Sequence, residues 1–377
     1  MLHPHDHPAF SAALLHWFAH SKRPLPWRQT YAPYHVWISE IMLQQTQMER
    51  GVSFFLRWLD RLPDIAAVAQ ADEATLLKLW EGLGYYSRVR NLHRAARQIM
   101  ERHGGVFPHR LADIRALPGI GDYTAGAIAS IAFEQDVACI DANVERVIAR
   151  VCDIDTPVKL KENRAFIRST TEALLPVGKA RDFNQAMMEL GALVCSRKAQ
   201  CGICPVSGWC EALHLGVMAD RPVPPTRKGI QHLDVATGIL IHDGRIYLQK
   251  RPEHGVWAGF WEFPGGCVEE GETPEQAVVR EFMEEMEFAV EPLDKITVIT
   301  HGYTRYRVTL HCYYLRLRET GSAAKQDAAP VPALHAATEY RWARFRDLAD
   351  VTLPAGHRKL ADFLATDLRL DALLHAR

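Results

Sequence analysis

Four cysteines, Cys195, Cys201, Cys204 and Cys210, follow the pattern C-x5-C-x2-C-x5-C, dense enough to form one metal centre. Thiolates so grouped suit a tetrahedral zinc or an iron–sulfur cluster. A single short C-x2-C knuckle, where a zinc ribbon has two, favours iron–sulfur. Cys139, Cys152, Cys267 and Cys312 lie in apolar runs and read as small core residues. Glu40 stands among Trp37, Ile38, Ile41, Met42 and Leu43. Turned inward, such a carboxyl has a raised pKa and can carry a proton at neutral pH; turned outward, it is a solvated residue on an amphipathic helix. Asp141 follows the apolar run 137–140 and precedes a helical pattern, the position of an N-cap. In Leu117-Pro-Gly-Ile-Gly-Asp-Tyr-Thr-Ala-Gly126, Gly119 and Gly121 fall on a tight turn before a helix of small residues. Both glycines permit unusual dihedrals. Successive N–H groups at that helix start can hold a phosphate, or the turn is an ordinary connection. Glu281, Glu284 and Glu285, at i, i+3 and i+4, share a helix face that could bind Mg²⁺ or simply face water.

The elements that must position these groups divide the 377 residues into two characters. From about residue 10 to 215, apolar residues recur at three- and four-residue spacing without strand alternation. A Pro-rich stretch over 220–232 reads as a semi-rigid linker. Beyond it, 235–241, 245–249 and 308–317 are rich in β-branched and aromatic residues, the first two joined by His242-Asp243-Gly244, a hairpin turn. A helix is predicted over 274–286, a loop of mobile composition over 320–332, and helical spacing again from 354. With 48% hydrophobic and 24% charged residues the composition is that of a folded globular protein, which excludes a mostly disordered chain. No apolar run approaches the ~18 residues of a membrane span, and no basic-then-apolar secretion signal opens the sequence. A soluble, cytoplasmic protein is expected. The net charge of −1 divides into +4 up to His232 and −5 beyond it, two modules with different surfaces on which any DNA contact is a local patch.

Leu-Pro-Gly-Ile-Gly followed by the four-cysteine cluster resembles the helix-hairpin-helix DNA glycosylases of the endonuclease III superfamily. Val36-Trp-Ile-Ser-Glu-Ile-Met-Leu-Gln-Gln-Thr-Gln47, Gly82-Leu-Gly-Tyr-Tyr-Ser-Arg-Val-Arg-Asn-Leu92 and Ile140-Asp-Ala-Asn-Val-Glu-Arg-Val147 narrow the resemblance to the MutY adenine DNA glycosylases, over about residues 10–365. The resemblance implies a multidomain chain. An all-α helix-hairpin-helix glycosylase fold, made of a six-helix barrel and an iron–sulfur cluster domain, precedes an α/β Nudix-like domain. The expected divisions are 1–29 with 137–218 for the cluster domain and 30–136 for the barrel with its hairpin. The linker is then 219–232, and 233–365 is the Nudix/MutT-like domain for opposite-base recognition.

The implied activity is monofunctional: hydrolysis of the N-glycosidic bond of adenine mispaired with 8-oxoguanine or guanine in duplex DNA, the base first flipped out of the helix. Breaking that bond needs a proton donor for the base and a negative charge beside the cationic sugar, the division of labour seen in glycoside hydrolysis. Glu40 matches the family's general acid, Asp141 its sugar-stabilising carboxylate and Asn143 the residue supporting the latter. Tyr123 stands where strand-cleaving relatives carry a Schiff-base lysine, so an abasic site is the expected product. Gln45 and Tyr85 match residues that enter the helix near the flipped base, with Leu83 beside them; for Tyr85 and Leu83 core packing is the alternative. Arg28 matches a pocket residue. Gly119, Gly121 and Thr124 of the hairpin are expected at the DNA, and Arg88 and Arg90 could serve phosphates. The cysteines imply one [4Fe-4S] cluster. The likeness further implies a monomer acting on DNA in the bacterial cytoplasm, at the nucleoid, and no membrane partner.

Gly266-x5-Glu272-x7-Arg280-Glu281-x2-Glu284-Glu285-x-Glu287 resembles a Nudix box with Glu287 replacing the usual glycine. Mg²⁺ at this helix would not be required for base excision. The loop that meets the damaged base reads Tyr303-Thr304-Arg305 where the family usually has Phe-Ser-His, and the first cysteine interval is one residue shorter than the usual x6. The competing expectations are an endonuclease III-type glycosylase for another lesion and a damage-binding protein without turnover.

Overall fold

The computed structural model describes residues 2–224, 229–303, 306–318 and 329–375. Residues 225–228 of the expected linker, Thr304 and Arg305 of the expected opposite-base loop, and most of the 320–332 loop lie outside the described residues. The chain divides into two compact units, Met1–Leu79 with Ser87–Arg227, and Trp80–Tyr86 with Lys228–Arg377.

In the first unit the described residues form helices and turns without a strand. In chain order the helices are α1 (His7–Ser21), α2 (Pro33–Leu43), α3 (Met48–Arg61), α4 (Ile65–Gln70), α5 (Glu73–Trp80) and α6 (Ser87–His103). They continue as α7 (Leu111–Arg115), α8 (Asp122–Phe133), α9 (Ala142–Val151), α10 (Lys161–Leu174), α11 (Ala180–Glu189) and α12 (Glu211–His214). α2 starts with Pro33 at its first position and is apolar nearly all round, burying Tyr34, Val36, Trp37, Ile38, Ile41 and Met42. It packs on α3 and α8. α8 is made of small residues buried from Thr124 to Ile131, which lets α2 and α11 approach it closely. A separate core gathers Phe10, Leu14 and Phe18 of α1 with Val144, Val147 and Ile148 of α9 and Phe183 and Met187 of α11, reaching Cys195 and Val206.

The hairpin glycines differ from expectation. Gly119 has φ +76°, and a Cβ there would lie 2.5 Å from Asn91 Cβ. Gly121 is extended (φ −90°, ψ −180°) with open space where a Cβ would stand. Only Gly119 is required by its backbone; Gly121 caps α8 in a conformation any residue adopts.

The second unit contains a mixed sheet with the order β3-β2-β1-β6-β5, β4 pairing β1 and β7 pairing β2. Its strands are β1 (Gln231–His242), β2 (Arg245–Lys250), β3 (Trp261–Glu262), β4 (Gly265–Cys267), β5 (Val290–Tyr303), β6 (Tyr306–Leu317) and β7 (Glu339–Ala343). β1 and β6 run parallel, and β1 turns into β2 through Asp243 and Gly244, both at positive φ, as the sequence predicts. α13 (Pro274–Met286) has the predicted limits, and its start is set by Thr273 and Gln276, which form a reciprocal capping box. Of the four cysteines read as core, Cys139 and Cys312 are buried, Cys152 is partly buried and Cys267 is exposed. Cys267 closes β4 opposite Val235, on the outward side of its pair.

Candidate active site

Near the end of α2 the apolar packing leaves Glu40, with Ser39 before it and Gln44 after it, lining a cavity of about 340 Å³. That volume lies within the range of small-molecule pockets. Tyr123 of α8 and Asp141 and Asn143 at the start of α9 line the same cavity, as do Arg28, Gln45 and Glu189. The Tyr123 hydroxyl donates to Glu40 Oε2 at 3.0 Å. Burial pushes the Glu40 carboxyl up to about 7; the Tyr123 bond and the Arg28 charge oppose the rise, while the Asp141 charge adds to it. At neutral pH Glu40 is therefore divided between an acid and a base.

Asp141 is the N-cap of α9, and it also faces the cavity, so the two readings of this residue coincide. Its Oδ1 accepts from the N–H groups of Asn143 (2.9 Å) and Val144 (2.8 Å), and its Oδ2 from Asn143 Nδ2 (2.6 Å). Burial raises its pKa, but these three donors and the Arg146 charge all favour the anion. The two carboxyl groups are thus differentiated: Glu40 has one donor, Asp141 has three at a helix N-terminus.

Arg28 is held rather than free. It donates to Gln185 Oε1 (2.8 Å), to Glu189 Oε1 (2.9 Å) and to the Arg23 carbonyl (3.0 Å). Gln45 stands exposed at the rim with φ +58°. Thr124 is buried, its hydroxyl accepting from Gln44 Nε2 at 3.3 Å. Leu83 is buried and Tyr85 exposed, with φ +48°. Leu83, Tyr85, Gly119, Gly121 and Thr124 are not among the residues lining the cavity. Arg90 is ion-paired with Glu73 (2.5 Å), and Arg88 donates to main-chain carbonyls of α2.

The site contains groups that sequence reasoning did not single out. Glu189, 2% exposed, takes both Arg23 and Arg28. Arg146 joins Asn143 Oδ1 (2.8 Å) to the carbonyls of Gly191 (2.6 Å) and Cys195 (2.8 Å). A Cβ on Gly191 would lie 2.5 Å from Asn143 Cβ, so glycine there lets the π-helical turn Leu190–Val194 approach α9. A charged residue inside the apolar run that ends at Cys195 was the available signal for Glu189.

Cys195, Cys201, Cys204 and Cys210 line a second, apolar cavity together with Val147, Val151, Leu190 and Val206. Arg150 donates to Cys195 Sγ at 3.3 Å. Among the described residues, no three His, Cys, Asp or Glu side chains are gathered closely enough to hold a single metal ion. The four sulfurs share one cavity, and thiolates are the donors that an iron–sulfur cluster takes.

On α13 the acidic residues are already engaged. Arg280 donates to Glu272 (3.0 Å), Glu281 (3.0 Å) and Glu284 (3.1 Å). Glu285 accepts from Gln249 at 2.8 Å, and burial pushes it up to about 7. Tyr303 ends β5, and the two residues after it lie outside the described residues. Among the described residues no helix is long and apolar enough to cross a membrane.

Residues 38–169 match the model of the HhH-GPD superfamily of base excision DNA repair proteins, and residues 236–362 that of the NUDIX domain. The adenine DNA glycosylase of Rattus norvegicus is 31% identical, over 91% of this chain and 76% of its own length. That of Homo sapiens is 32% identical over 82% of this chain and 67% of its own. The one from Buchnera aphidicola subsp. Baizongia pistaciae is 34% identical over 68% and 73%. Among solved structures, a thermostable thymine-DNA glycosylase superposes with a TM-score of 0.52 at 29% identity, covering 56% of this chain and 97% of its own.

Proposed function

The chain belongs to the adenine DNA glycosylase family, and from that premise we propose that it excises adenine mispaired with 8-oxoguanine or guanine in duplex DNA. Base excision by glycosidic hydrolysis is the activity of the family; the mispair and the residue roles are our reading. The observation that carries it is the convergence of two differently tuned carboxyl groups on one cavity.

In this reading adenine leaves the duplex and enters the cavity between α2, α8 and α9. Everting it costs a few kcal/mol, which Gln45 and the exposed Tyr85 offset by entering the helix while the buried Leu83 stays packed, with the hairpin N–H groups around Gly119 and Gly121 on phosphate. Glu40, protonated, donates its proton to the departing base as the bond from C1′ to nitrogen breaks and its electron pair leaves with the adenine. Asp141, kept anionic by its three donors, stabilises the oxocarbenium-like sugar until water adds at C1′. Tyr123 aims Glu40. A phenol forms no Schiff base, so free adenine and an intact strand with an abasic site are the products. Arg28, Gln185 and Glu189 form a polar wall able to hydrogen-bond the base edge.

Cys195, Cys201, Cys204 and Cys210 would hold one [4Fe-4S] cluster, which when bound would cross-link the segment 195–210 to itself through four thiolates in a cavity that α9 helps to line. The discontinuous core of α1, α9, α10 and α11 supports a cluster domain of 1–29 with 137–218 beside a barrel of 30–136. The second unit supports a Nudix-like domain at 233–365, after a linker at 219–232, in which Tyr303, Thr304 and Arg305 meet the opposite base. We further assign the protein to the cytoplasm, at the nucleoid, as a monomer.

The test is a duplex carrying one adenine opposite 8-oxoguanine, incubated with the full chain and then treated with alkali. Cleavage at the adenine only after alkali, with no borohydride-trapped complex, is expected. Trapping, or activity on thymine glycol with none on adenine, would replace this reading with an endonuclease III-type one. Specific binding without any cleavage would leave a damage-binding protein.

A further inference from the structure

Arg88 belongs to the first turn of α6, a helix whose arginines suggest a phosphate-binding face. Its guanidinium instead reaches the end of α2, donating to the carbonyls of Ile41 (2.7 Å), Met42 (3.4 Å) and Gln44 (2.8 Å). Carbonyls at a helix C-terminus have no partner within the helix, and a planar cation there satisfies several at once while matching the helix dipole. The next residue is Gln45, at φ +58°, a conformation that side-chain-bearing residues keep only when their surroundings hold them in it. Thr46 N–H returns to the Leu43 carbonyl at 3.2 Å, and Gln44 Nε2 is tied to Thr124 Oγ1 of α8. The turn that presents Gln45 at the cavity rim is thus clamped from α6 on its main chain and from α8 on its side chain.

We propose that Arg88 is a positioning residue for base eversion, which caps α2 and holds Gln45 in the left-handed turn from which it enters the duplex. The proposal rests on the reading of Gln45 given above. Arg88 acts through Gln45 and leaves the DNA phosphates to other residues.

Three measurements on the full chain test this. The salt dependence of affinity for the mispaired duplex separates clamp from phosphate ligand. Arg88→Ala is expected to leave the slope of log K against log salt unchanged, whereas loss of a phosphate contact lowers it by about one. Single-turnover excision should slow by about 10²-fold, the scale of an ångström-sized misplacement, and adding Arg88→Ala to Gln45→Ala should slow it little further. Amide exchange of free protein should show Thr46 losing protection in Arg88→Ala. Arg88→Lys guards against a folding defect: it keeps the charge but not the fork, and is expected to melt like wild type while excising more slowly. A reduced salt slope, additive rate losses, unchanged protection at Thr46 or full activity of Arg88→Lys would each overturn the proposal. Should the wild type excise no adenine, the functional reading fails, and Thr46 exchange alone decides whether Arg88 holds the turn.

Discussion

Glu40 and Asp141 are both raised by burial, yet the hydrogen bonds around them differ, and reactivity follows from that difference. In the proposed mechanism Glu40 is the acid, and with its carboxyl pushed up to about 7 the active form is lost as pH rises through that value. Single-turnover excision should therefore fall about tenfold per pH unit well above 7. Tyr123→Phe removes a donor that favours the carboxylate, so the falling limb should move to higher pH in a rate–pH profile. The same shift has a stability consequence. The folded-state pKa of Glu40 lies above its unfolded value of 4.5, so stability tied to this group is present below 4.5 and lost as pH rises through about 7. Glu40→Gln lacks that loss, and its denaturation midpoint should gain on wild type across this interval. A carboxylate in an apolar run made Glu40 conspicuous, but the run left open whether it faces inward or toward water, and only the family resemblance assigned it the role of acid. Glu189 and Arg146 stood out less, because their partners Arg28 and Cys195 lie far along the chain and meet them only in the folded protein.

Elements show where local chemistry suffices and where it does not. The start of α13 follows from Thr273, Pro274 and Gln276, a signal contained within four residues. β5 escaped notice because register shifts at Pro292, Lys295 and Thr297 break the alternation by which a strand is recognised. Glu287, in the position usual for glycine, ends α13 at φ +58° and pairs with His335 at 2.9 Å. Glycine there relieves about 1 kcal/mol of strain, against an exposed ion pair worth ~0–1 kcal/mol. Glu287→Gly should therefore raise the denaturation midpoint slightly. The hairpin separates two uses of glycine. Gly119→Ala meets both a positive φ and Asn91, and should destabilise the fold measurably. Gly121→Ala should leave the melting midpoint unchanged but weaken duplex binding, because a Cβ there would intrude only on an approaching phosphate. With Glu281 and Glu284 engaged by Arg280, and Glu285 by Gln249, incubation of the full chain with 8-oxo-dGTP and Mg²⁺ is expected to give no turnover.

At the scale of the whole molecule, two compact units were foreseeable from the change of periodicity around a Pro-rich stretch, because helical and strand patterns differ in kind. Periodicity alone does not reveal the pairing of distant segments, which only the family resemblance implied: α1 joins α9, α10 and α11 in one core although more than a hundred residues separate them. That core reaches Cys195 and Cys204, so the proposed cluster should stabilise it. Purified protein should absorb visible light as a brown iron–sulfur protein, and Cys210→Ser should lose that colour together with several degrees of melting temperature. In the proposed mechanism two carboxyl groups converge on an everted adenine, one as its acid. The most direct measurement is single-turnover release of adenine from an adenine:8-oxoguanine duplex by wild type and Glu40→Gln. A loss of about 10²–10⁴-fold in the variant, with duplex binding retained, is predicted. An unaltered rate in Glu40→Gln would contradict the account.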